Sequence, residues 1–446
     1  MLPDRLSNLA GVLKARSNGQ ARVTGISIDS RTVKAGDLFV ALKGVRNGHD
    51  YIQSARDRGA VAALVSEPQQ VLPEIFVDDT VIALMVLARH FRDGFKHPVI
   101  AITGSQGKTS TRGFVSSILR QSATHSGHPD ILETEGNYNN DLGLPLTAAR
   151  LREDHAYAVF ELGASKAGDI ELLAAAIRPN YSVLLNARVA HLEGFGTLSA
   201  IVKEKGQIID YTSPTGAVIL NSDEPAFELW KQRAADRKIL SFGRQNADVS
   251  WKPIGKERVE IILFSDQIKV TLPTLGQHFM ENAAAAAAVC HVAGVSVIDI
   301  ASGLESASIE PRRMTPIRVN DLLVVDDTYN SSPQAVRAAI DWLSEQAGDR
   351  LLIMGGLAEL GDSAESEMRR LGEYAKSSGL TQLITVGSAE AVAAGFGAGA
   401  THFEILDTFF SDFLGLKYLK GTVVVKGSHS ERMDRVVKFL TRNKGA

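Results

Sequence analysis

The most informative segment of this chain reads Val99-Ile100-Ala101-Ile102-Thr103-Gly104-Ser105-Gln106-Gly107-Lys108-Thr109-Ser110-Thr111. Its apolar first part ends at Thr103 and has the length of a buried strand. A turn bracketed by two glycines follows, and apolar side chains then recur at helical spacing from Phe114 to Leu119. Strand, glycine-rich loop and helix in this order form the context that a phosphate-binding loop requires.

The loop itself carries the residue types that phosphate binding needs. Glycines allow backbone N–H groups to approach phosphate oxygens, and the N-terminus of the following helix favours an anion. Lys108 can reach the terminal phosphates, and the Thr109 hydroxyl can bind Mg²⁺. Only Ser105 and Gln106 separate the two glycines, whereas the usual P-loop has four residues there. The alternative is a plain turn with a solvated lysine, but the flanking strand and helix favour phosphate binding.

The composition is typical of a globular protein with several domains. A chain of 446 residues exceeds one ordinary domain, so we expect about three. A net charge of −3 without a basic block gives no support to nucleic-acid or membrane-surface binding. The single cysteine, Cys290, excludes an internal disulfide and is expected in the core. The N-terminus lacks a signal-peptide pattern and the apolar runs are too short to span a bilayer, so we expect a cytoplasmic protein.

Residues up to Lys96 are predicted to form a first unit. Strands are expected at Ile26–Arg31 and Asp37–Leu42, and an amphipathic helix at Thr80–Phe91 leads out of the unit. Some polar residues near the strand ends could contact an anionic ligand, although the pattern alone favours solvated surface. These residues are Ser27, Ser30, Arg31 and Lys43.

From Pro98 to about Glu310, strands alternate with helices, which predicts a mostly parallel sheet with covered faces. Ligands gather at the carboxyl ends of the strands in such sheets. Glu161 and Asn186 each end an apolar run, and His191 follows shortly after. A carboxylate and an imidazole beside a phosphate loop could bind the metal of a nucleotide.

Two further parts of the central unit are interpreted from their patterns. Lys203 and Lys205 lie on a predicted helix, Leu198–Tyr211, and the pattern alone makes both solvated surface lysines. The segment Leu275–Asn282 is predicted to be a loop that opens onto an alanine-rich helix. Alanine favours helix and permits close packing, so we expect that helix to be buried.

A third unit begins after Pro311-Arg312-Arg313. Leu322–Asp326 is a predicted strand, and a polar loop with Ser332 as helix N-cap follows it. Further strand and helix signals run to Arg432–Thr441, which predicts a second, doubly wound α/β domain.

Taken together, these landmarks resemble the Mur ligase family of bacterial cell-wall synthesis over essentially the whole chain. The family pattern T-G-x-x-G-K-T-[ST] matches Thr103 to Ser110 and accounts for the short loop. The other supporting stretches are Gly136-Asn137-Tyr138-Asn139-Asn140-Asp141, Glu161-Leu162-Gly163-Ala164-Ser165, Ala190-His191-Leu192-Glu193-Gly194-Phe195-Gly196, Asp326-Asp327-Thr328-Tyr329-Asn330-Ser331-Ser332-Pro333, Ala358-Glu359-Leu360-Gly361 and Lys426-Gly427-Ser428.

The resemblance implies an α/β fold of three domains. Residues 1–96 would form a small α/β domain for the sugar nucleotide, and 97–312 a mostly parallel sheet domain with the P-loop for ATP. Residues 313–446 would form a Rossmann-like doubly wound domain for ATP and the incoming dipeptide. Within the family, the match is best to the member that joins D-alanyl-D-alanine to UDP-N-acetylmuramoyl-tripeptide through an acyl phosphate. We therefore expect those two partners, ATP and two Mg²⁺ ions as cofactors, and a monomer.

The resemblance also implies roles for individual residues. The catalytic set is Lys108, Glu161, His191, Lys205 and Arg313, and the metal set is Thr109, Glu161, His191 and a carbamylated Lys205. ATP would contact Thr103, Gly104, Ser105, Gln106, Gly107, Lys108, Thr109, Ser110, His278, Asn282, Arg313, Asp327 and Tyr329. The substrates would contact Ser27, Ser30, Arg31, Lys43, Asn137, Asn139, Asn140 and Asn330. Two positions depart from the family pattern, with Gln207 in place of glutamate and Arg312 in place of the commoner glycine.

Three alternatives remain open. A family member that adds a single diamino acid would usually carry an Asp-Asn-Pro-Arg motif, which is absent here. A folate-polyglutamylating ligase would share the loop but should lack the N-terminal unit. A nucleotide-binding regulator without ligase activity would bind ATP and form no amide, and it should have lost residues such as Lys108 and Glu161, which are present.

Overall fold

The structure is a computed structural model that describes residues 1–127, 130–188, 192–358, 360–412 and 420–442. Within these ranges the chain is α/β, with helices packed on sheets of mixed and mostly parallel strands, as predicted. None of the helices in the described ranges is both long and apolar enough to cross a membrane.

The N-terminal part contains a five-stranded sheet and a separate two-stranded ribbon. The strand order is β2-β7-β6-β5-β4, and only the edge strand β2 is antiparallel to its neighbour. The central strands are short apolar runs that are buried on both faces, as is typical of parallel strands. The strands are β1 Asp4–Arg5, β2 Arg16–Asn18, β3 Arg22–Val23, β4 Gly25–Ser27, β5 Asp37–Val40, β6 Ala62–Val65 and β7 Glu74–Phe76; the helices are α1 Leu6–Val12, α2 Ile52–Asp57 and α3 Thr80–Gly94.

Helix α3 joins the first sheet to the central one. The Asp79 side chain caps it by accepting bonds from the Val81 and Ile82 amides. One face carries buried apolar side chains, including Leu84, Leu87 and Phe91, and this face packs on helices of the central unit.

The central sheet has nine strands in the order β16-β15-β14-β13-β12-β11-β8-β10-β9. The strands from β9 at one edge to β14 are parallel. Strands β14, β15 and β16 form an antiparallel meander at the other edge. Its strands are β8 Val99–Thr103, β9 Asp130–Glu133, β10 His155–Glu161, β11 Tyr181–Leu184, β12 Ala217–Asn221, β13 Lys238–Gly243, β14 Val249–Pro253, β15 Arg258–Leu263 and β16 Asp266–Thr271. Its helices are α4 Lys108–His125, α5 Gly143–Ala148, α6 Asp169–Ile177, α7 Leu192–Phe195, α8 Leu198–Asp210, α9 Phe227–Ala234, α10 Gln277–Val292 and α11 Val297–Glu305.

The prediction of a loop at Leu275–Asn282 is wrong for most of that segment. Helix α10 begins directly after Gly276, whose φ of +104° turns the chain into the helix. His278 and Asn282 therefore lie on the first turns of α10, next to the phosphate loop. The alanines that follow are fully buried, and Cys290 is buried with them, as predicted.

The C-terminal part has a six-stranded sheet in the order β17-β18-β22-β19-β20-β21. All strand pairs are parallel except β17 with β18, which form a hairpin. Ser332 caps α12 by accepting a bond from the Ala335 amide, as predicted. The strands are β17 Thr315–Val319, β18 Leu322–Asp327, β19 Asp349–Met354, β20 Gln382–Val386, β21 Ala400–Phe403 and β22 Gly421–Lys426; the helices are α12 Pro333–Ser344, α13 Ala364–Ser377, α14 Glu390–Phe396, α15 Leu406–Asp412 and α16 Asp434–Arg442.

Candidate active site

The phosphate loop lies at the carboxyl end of β8, between the ends of β10 and β11. Gly107 has a φ of +82° and stands directly before the first residue of α4. A Cβ atom at Gly107 would lie 2.5 Å from Asn282 Oδ1, so both the backbone conformation and the packing require glycine. Strand, loop and helix follow one another here as predicted.

Asn186, at the end of β11, holds the loop in shape. Its Oδ1 accepts a hydrogen bond from the Gln106 amide at 2.9 Å, and its Nδ2 donates to the Gln106 carbonyl at 3.2 Å. The Ser105 amide donates to the Asn186 carbonyl at 3.1 Å. This strand-end residue was a candidate neighbour of a metal in the sequence, but its contacts assign it to the scaffold of the loop.

Lys108 folds back over the loop. Its Nζ donates to the carbonyl oxygens of Gly104 at 2.8 Å and Ser105 at 3.3 Å. Burial lowers the pKa of Lys108, the Glu161 carboxylate raises it, and the Arg313 guanidinium lowers it further. Loop carbonyls thus hold a poorly solvated cation at the place where phosphate oxygens would bind.

Glu161, at the end of β10, points towards the first turn of α4. Its Oε1 accepts hydrogen bonds from Thr109 Oγ1 at 3.2 Å and Asn139 Nδ2 at 2.8 Å. Its Oε2 is buried and has no hydrogen-bond partner among the described residues. A hydroxyl and a carboxylate with a free oxygen are ligands that Mg²⁺ accepts, and Mg²⁺ usually retains water for its other positions.

His191, which the resemblance places in the catalytic and metal sets, lies outside the described residues. In the ranges that the structure covers, no group of three or more His, Cys, Asp or Glu side chains is placed to hold a metal. Thr109 and Glu161, which are hydrogen-bonded to each other, are a pair with the chemistry to bind one.

Lys205 is buried, which contradicts the surface position that the pattern alone predicted. Only 2% of the residue is exposed, whereas Lys203 is exposed as expected. Burial and the nearby charge of Lys108 lower the pKa of Lys205 to about 7. Its Nζ lies 5.9 Å from the centre of the Phe195 ring. The sequence pattern failed here because the buried face of α8 contains charged residues, Glu204 and Lys205, beside apolar ones such as Ile201 and Ile208. A pattern that counts only apolar residues as buried assigns such lysines to the surface.

Arg313 and Tyr329 bring the third unit to the loop. The Arg313 guanidinium stacks on the Tyr329 ring at 4.1 Å from its centre. Asp327 forms an ion pair with the buried Lys426 and accepts a bond from the Met314 amide at 3.2 Å. Between the units, Gln106 Nε2 donates to Ser332 Oγ at 2.8 Å.

The two α10 residues differ in their surroundings. Asn282 is buried and packs against Gly107. The pKa of His278 is lowered to about 4, mainly by burial. The Asp327 carboxylate opposes this shift, and the Lys426 ammonium adds to it. His278 is therefore neutral near pH 7 and can offer one donor and one acceptor.

Of the asparagines that the resemblance assigns to substrate, only Asn139 donates to Glu161. Asn140 Oδ1 accepts bonds from the Leu142 and Gly143 amides at the start of α5, which is a capping role. Asn137 is exposed, and Asn330 Oδ1 accepts a bond from the Ser331 amide at 2.9 Å.

The candidate residues in the N-terminal unit are engaged locally. Arg31 forms an exposed ion pair with Asp29 at 2.6 Å, and Lys43 forms one with Glu67 at 2.7 Å. Ser27 Oγ donates to the Asp29 carbonyl at 3.0 Å, and Ser30 is buried. Exposed ion pairs are weak, so the two cations remain able to exchange partners for an anionic ligand.

Gln207 and Arg312, the two residues that depart from the family pattern, form hydrogen bonds with nearby residues. Gln207 Nε2 donates to Glu204 Oε2 at 3.0 Å, and Glu204 in turn accepts bonds from the Gly168 and Ile170 amides. Arg312 has a φ of +71°, and its guanidinium bonds to Thr328 Oγ1 at 3.0 Å and the Thr328 carbonyl at 2.6 Å.

Arg112 lies beside these candidate residues, and the sequence reasoning did not single it out. It lies on α4 with 5% of its side chain exposed, and Nη1 is 4.0 Å from Glu161 Oε2. Its Nη2 forms an ion pair with Glu310, in the segment before the third unit. The available signal was its position one helical turn after Lys108, which places both residues on the same side of α4.

Comparison with known families agrees with this geometry. The model described as Mur ligase family, catalytic domain, matches residues 22–103. The Mur ligase middle domain matches 102–290, and the Mur ligase, glutamate ligase domain, matches 312–429. A relative from Escherichia coli (strain K12) is named UDP-N-acetylmuramoyl-tripeptide--D-alanyl-D-alanine ligase. It is 34% identical over an alignment of 459 positions that covers 99% of this chain and 99% of the relative.

Solved structures give the same result. A crystal structure of MurF from Acinetobacter baumannii superposes with a TM-score of 0.90 at 30% identity and covers 98% of both chains. A MurF ligase from Thermotoga maritima in complex with ADP superposes with a TM-score of 0.82 at 29% identity, over 94% of this chain and 97% of that one. The family implied by the sequence motifs is thereby confirmed, and this chain belongs to the Mur ligase family.

Proposed function

We propose that this chain is the ATP-dependent ligase that joins D-alanyl-D-alanine to UDP-N-acetylmuramoyl-tripeptide, giving the pentapeptide precursor, ADP and phosphate. The observation that carries the proposal is a complete phosphate loop, with Glu161 and Arg313 beside it, in a chain that matches ligases of this name over its full length. A carboxylate resists amine attack because its leaving group would be oxide. Transfer of the γ-phosphoryl group makes an acyl phosphate, which the dipeptide amine attacks with release of phosphate.

The residues act by positioning and by neutralising charge. Phosphoryl transfer needs little covalent help from the protein, but it needs cations around the γ-phosphate. Lys108 and Arg313 come from different units, and the Arg313 guanidinium is close enough to lower the pKa of Lys108, so both can face the same phosphates. Asn282, Gly107 and the loop amides would fix the nucleotide, and His278 and Tyr329 would flank it.

Mg²⁺ fits the pair Thr109 and Glu161, because Glu161 keeps one buried oxygen without a hydrogen-bond partner among the described residues. When bound, the ion supplies Lewis-acid neutralisation of phosphate charge. The resemblance adds His191 and a second Mg²⁺ ion to this proposal. The contribution of the chain's own residues is to hold the carboxylate and hydroxyl together before the ion arrives.

We also propose that Lys205 is carbamylated, which would convert a buried cation into an anionic metal ligand. Its burial and its pKa of about 7 support this, because a neutral amine is the form that reacts with CO₂. Incubation with ¹³C-bicarbonate should give a carbamate carbon resonance that is absent in Lys205→Ala and retained in Lys203→Ala. An identical resonance in both variants would refute the assignment.

The division of the chain at residues 1–96, 97–312 and 313–446 is part of this proposal. The N-terminal unit would hold the UDP-sugar through Ser27, Ser30, Arg31 and Lys43, and the third unit would hold the dipeptide. Asn137, Asn139, Asn140 and Asn330 are proposed to complete the substrate contacts. We expect the enzyme in the cytoplasm, where these substrates are made, and as a monomer.

The experiment that tests the function is phosphate release from ATP with UDP-N-acetylmuramoyl-tripeptide, with and without D-alanyl-D-alanine, and with the product mass measured. We expect release that depends on both substrates and a pentapeptide product. Release with a single amino acid instead would assign the chain to an earlier step of the pathway. ATP binding without product in any combination would favour the nucleotide-binding regulator.

A further inference from the structure

A buried arginine connects two halves of the proposed ATP site. Arg112 lies on α4, and its guanidinium stands among three carboxylates from different segments. Glu133 comes from the end of β9, Glu161 from the end of β10, and Glu310 from the segment that precedes β17. A buried guanidinium is costly unless several acceptors surround it, and here they do.

The first connection runs to the carboxylate that faces Thr109. Arg112 Nη1 is 4.0 Å from Glu161 Oε2 and donates to the Thr134 carbonyl, which precedes the loop of Gly136. The other Glu161 oxygen already accepts bonds from Thr109 and Asn139. Arg112 therefore faces the one Glu161 oxygen that lacks a hydrogen bond, and it limits how far this carboxylate can rotate.

The second connection runs to the segment that carries Arg313. Arg112 Nη2 forms its ion pair with Glu310, three residues before Arg313. The same segment also lies against α4 at the neighbouring Gly113, where a Cβ atom would be in ordinary van der Waals contact with the Ser308 carbonyl oxygen, at 3.4 Å. An anchored Glu310 limits the positions that the Arg313 guanidinium can take.

We infer that Arg112 is a positioning residue that holds the Glu161 carboxylate towards Thr109 and, through Glu310, anchors the segment that presents Arg313. The inference rests on the proposed ATP chemistry. Lysine cannot replace the arginine fully, because only the planar guanidinium donates in several fixed directions at once. Arg120 is a matched control, since it lies on the same helix and pairs with Glu133 but is half-exposed.

The test is calorimetric binding of ADP with Mg²⁺ to the full chain and to the variants Arg112→Lys, Glu310→Gln, their double variant and Arg120→Gln. We expect each of the first two to weaken ADP binding roughly tenfold and the double variant to be no weaker than the worse single one, because coupled residues are not additive. Arg120→Gln should bind like the wild type. The Mg²⁺ concentration for half-maximal ADP binding should rise in Arg112→Lys but not in Glu310→Gln, because only Arg112 faces Glu161.

The outcomes separate the possibilities. Wild-type ADP affinity in both single variants would overturn the inference. It would also be overturned if the fold losses of ADP affinity in the two single variants multiplied in the double variant, because the two residues would then act independently. A lower melting temperature with unchanged ADP affinity would reduce Arg112 to a purely structural role, which also overturns it. If Arg112→Lys does not fold, Glu310→Gln decides alone through its ADP affinity. Loss of ADP binding in the wild type would instead refute the proposed function.

Discussion

Lys108 is the residue on which the proposed chemistry depends most directly. Its ammonium contacts two loop carbonyls, and a phosphate would offer it far better acceptors. We expect Lys108→Ala to lower turnover by roughly 10²–10³-fold, which is typical for loss of one preorganised donor at a transition state. The measurement is steady-state phosphate release, with the exposed Lys203→Ala on α8 as the control. Near-normal turnover in Lys108→Ala would contradict the role of the loop.

His278 should make stability depend on pH in a defined window. Burial lowers its pKa from 6.5 to about 4, so the unfolded chain binds this proton more readily than the folded chain does. The free energy of unfolding should therefore fall as the pH decreases from about 6.5 towards 4, and this contribution should be absent above that window. Melting temperatures of wild type and His278→Gln between pH 4.5 and 7.5 test this, because the variant should lose less stability on acidification. Parallel curves would show that His278 does not carry the effect.

At the scale of elements, the turn between β8 and α4 requires glycine for two separable reasons. Gly107 combines a φ of +82° with a packing contact, since an added Cβ would lie 2.5 Å from Asn282 Oδ1. Gly127, after α4, has a φ of +74° and open space around it. Each alanine substitution should cost about 1–2 kcal/mol of stability from the backbone alone. Only Gly107→Ala should also weaken ADP binding, because it displaces Asn282; equal ADP affinity in the two variants would contradict this.

The elements that sequence reasoning recovered are those with strong local signals. Strand β8, the loop, α4 and the Ser332 cap follow from apolar runs, glycines and capping chemistry. The meander β14–β16 was missed, although β16 alternates exposed polar and buried apolar residues as a half-buried strand does. Lys205 and Arg112 were misread or missed because their burial arises from packing between distant segments, which local pattern does not report. The family resemblance supplied Lys205, but only the structure supplied Arg112.

At the scale of the whole molecule, the proposed active site draws its residues from two of the proposed units. Lys108, on α4, and Glu161, at the end of β10, belong to the central unit, whereas Arg313, Asp327 and Tyr329 belong to the third unit. Among the described residues, polar contacts that join these two parts include Gln106 with Ser332 and Lys256 with Gln346. An acyl phosphate is readily hydrolysed, so the site should close and exclude water before it forms.

We therefore expect the molecule to compact when an unreactive ATP analogue and UDP-N-acetylmuramoyl-tripeptide bind together. The motion should occur about the connections Phe95–Pro98 and Pro311–Met314, which link the three proposed units. A fully compact chain of this length has a radius of gyration of about 22 Å, so small-angle scattering should show a larger value without ligands and a shift towards it with both. Lys108→Ala should remain open in the same mixture, because the nucleotide then lacks the contact that links it to the loop. An unchanged scattering curve for the wild type with both ligands bound would mean that this ligase shields its intermediate without moving its domains.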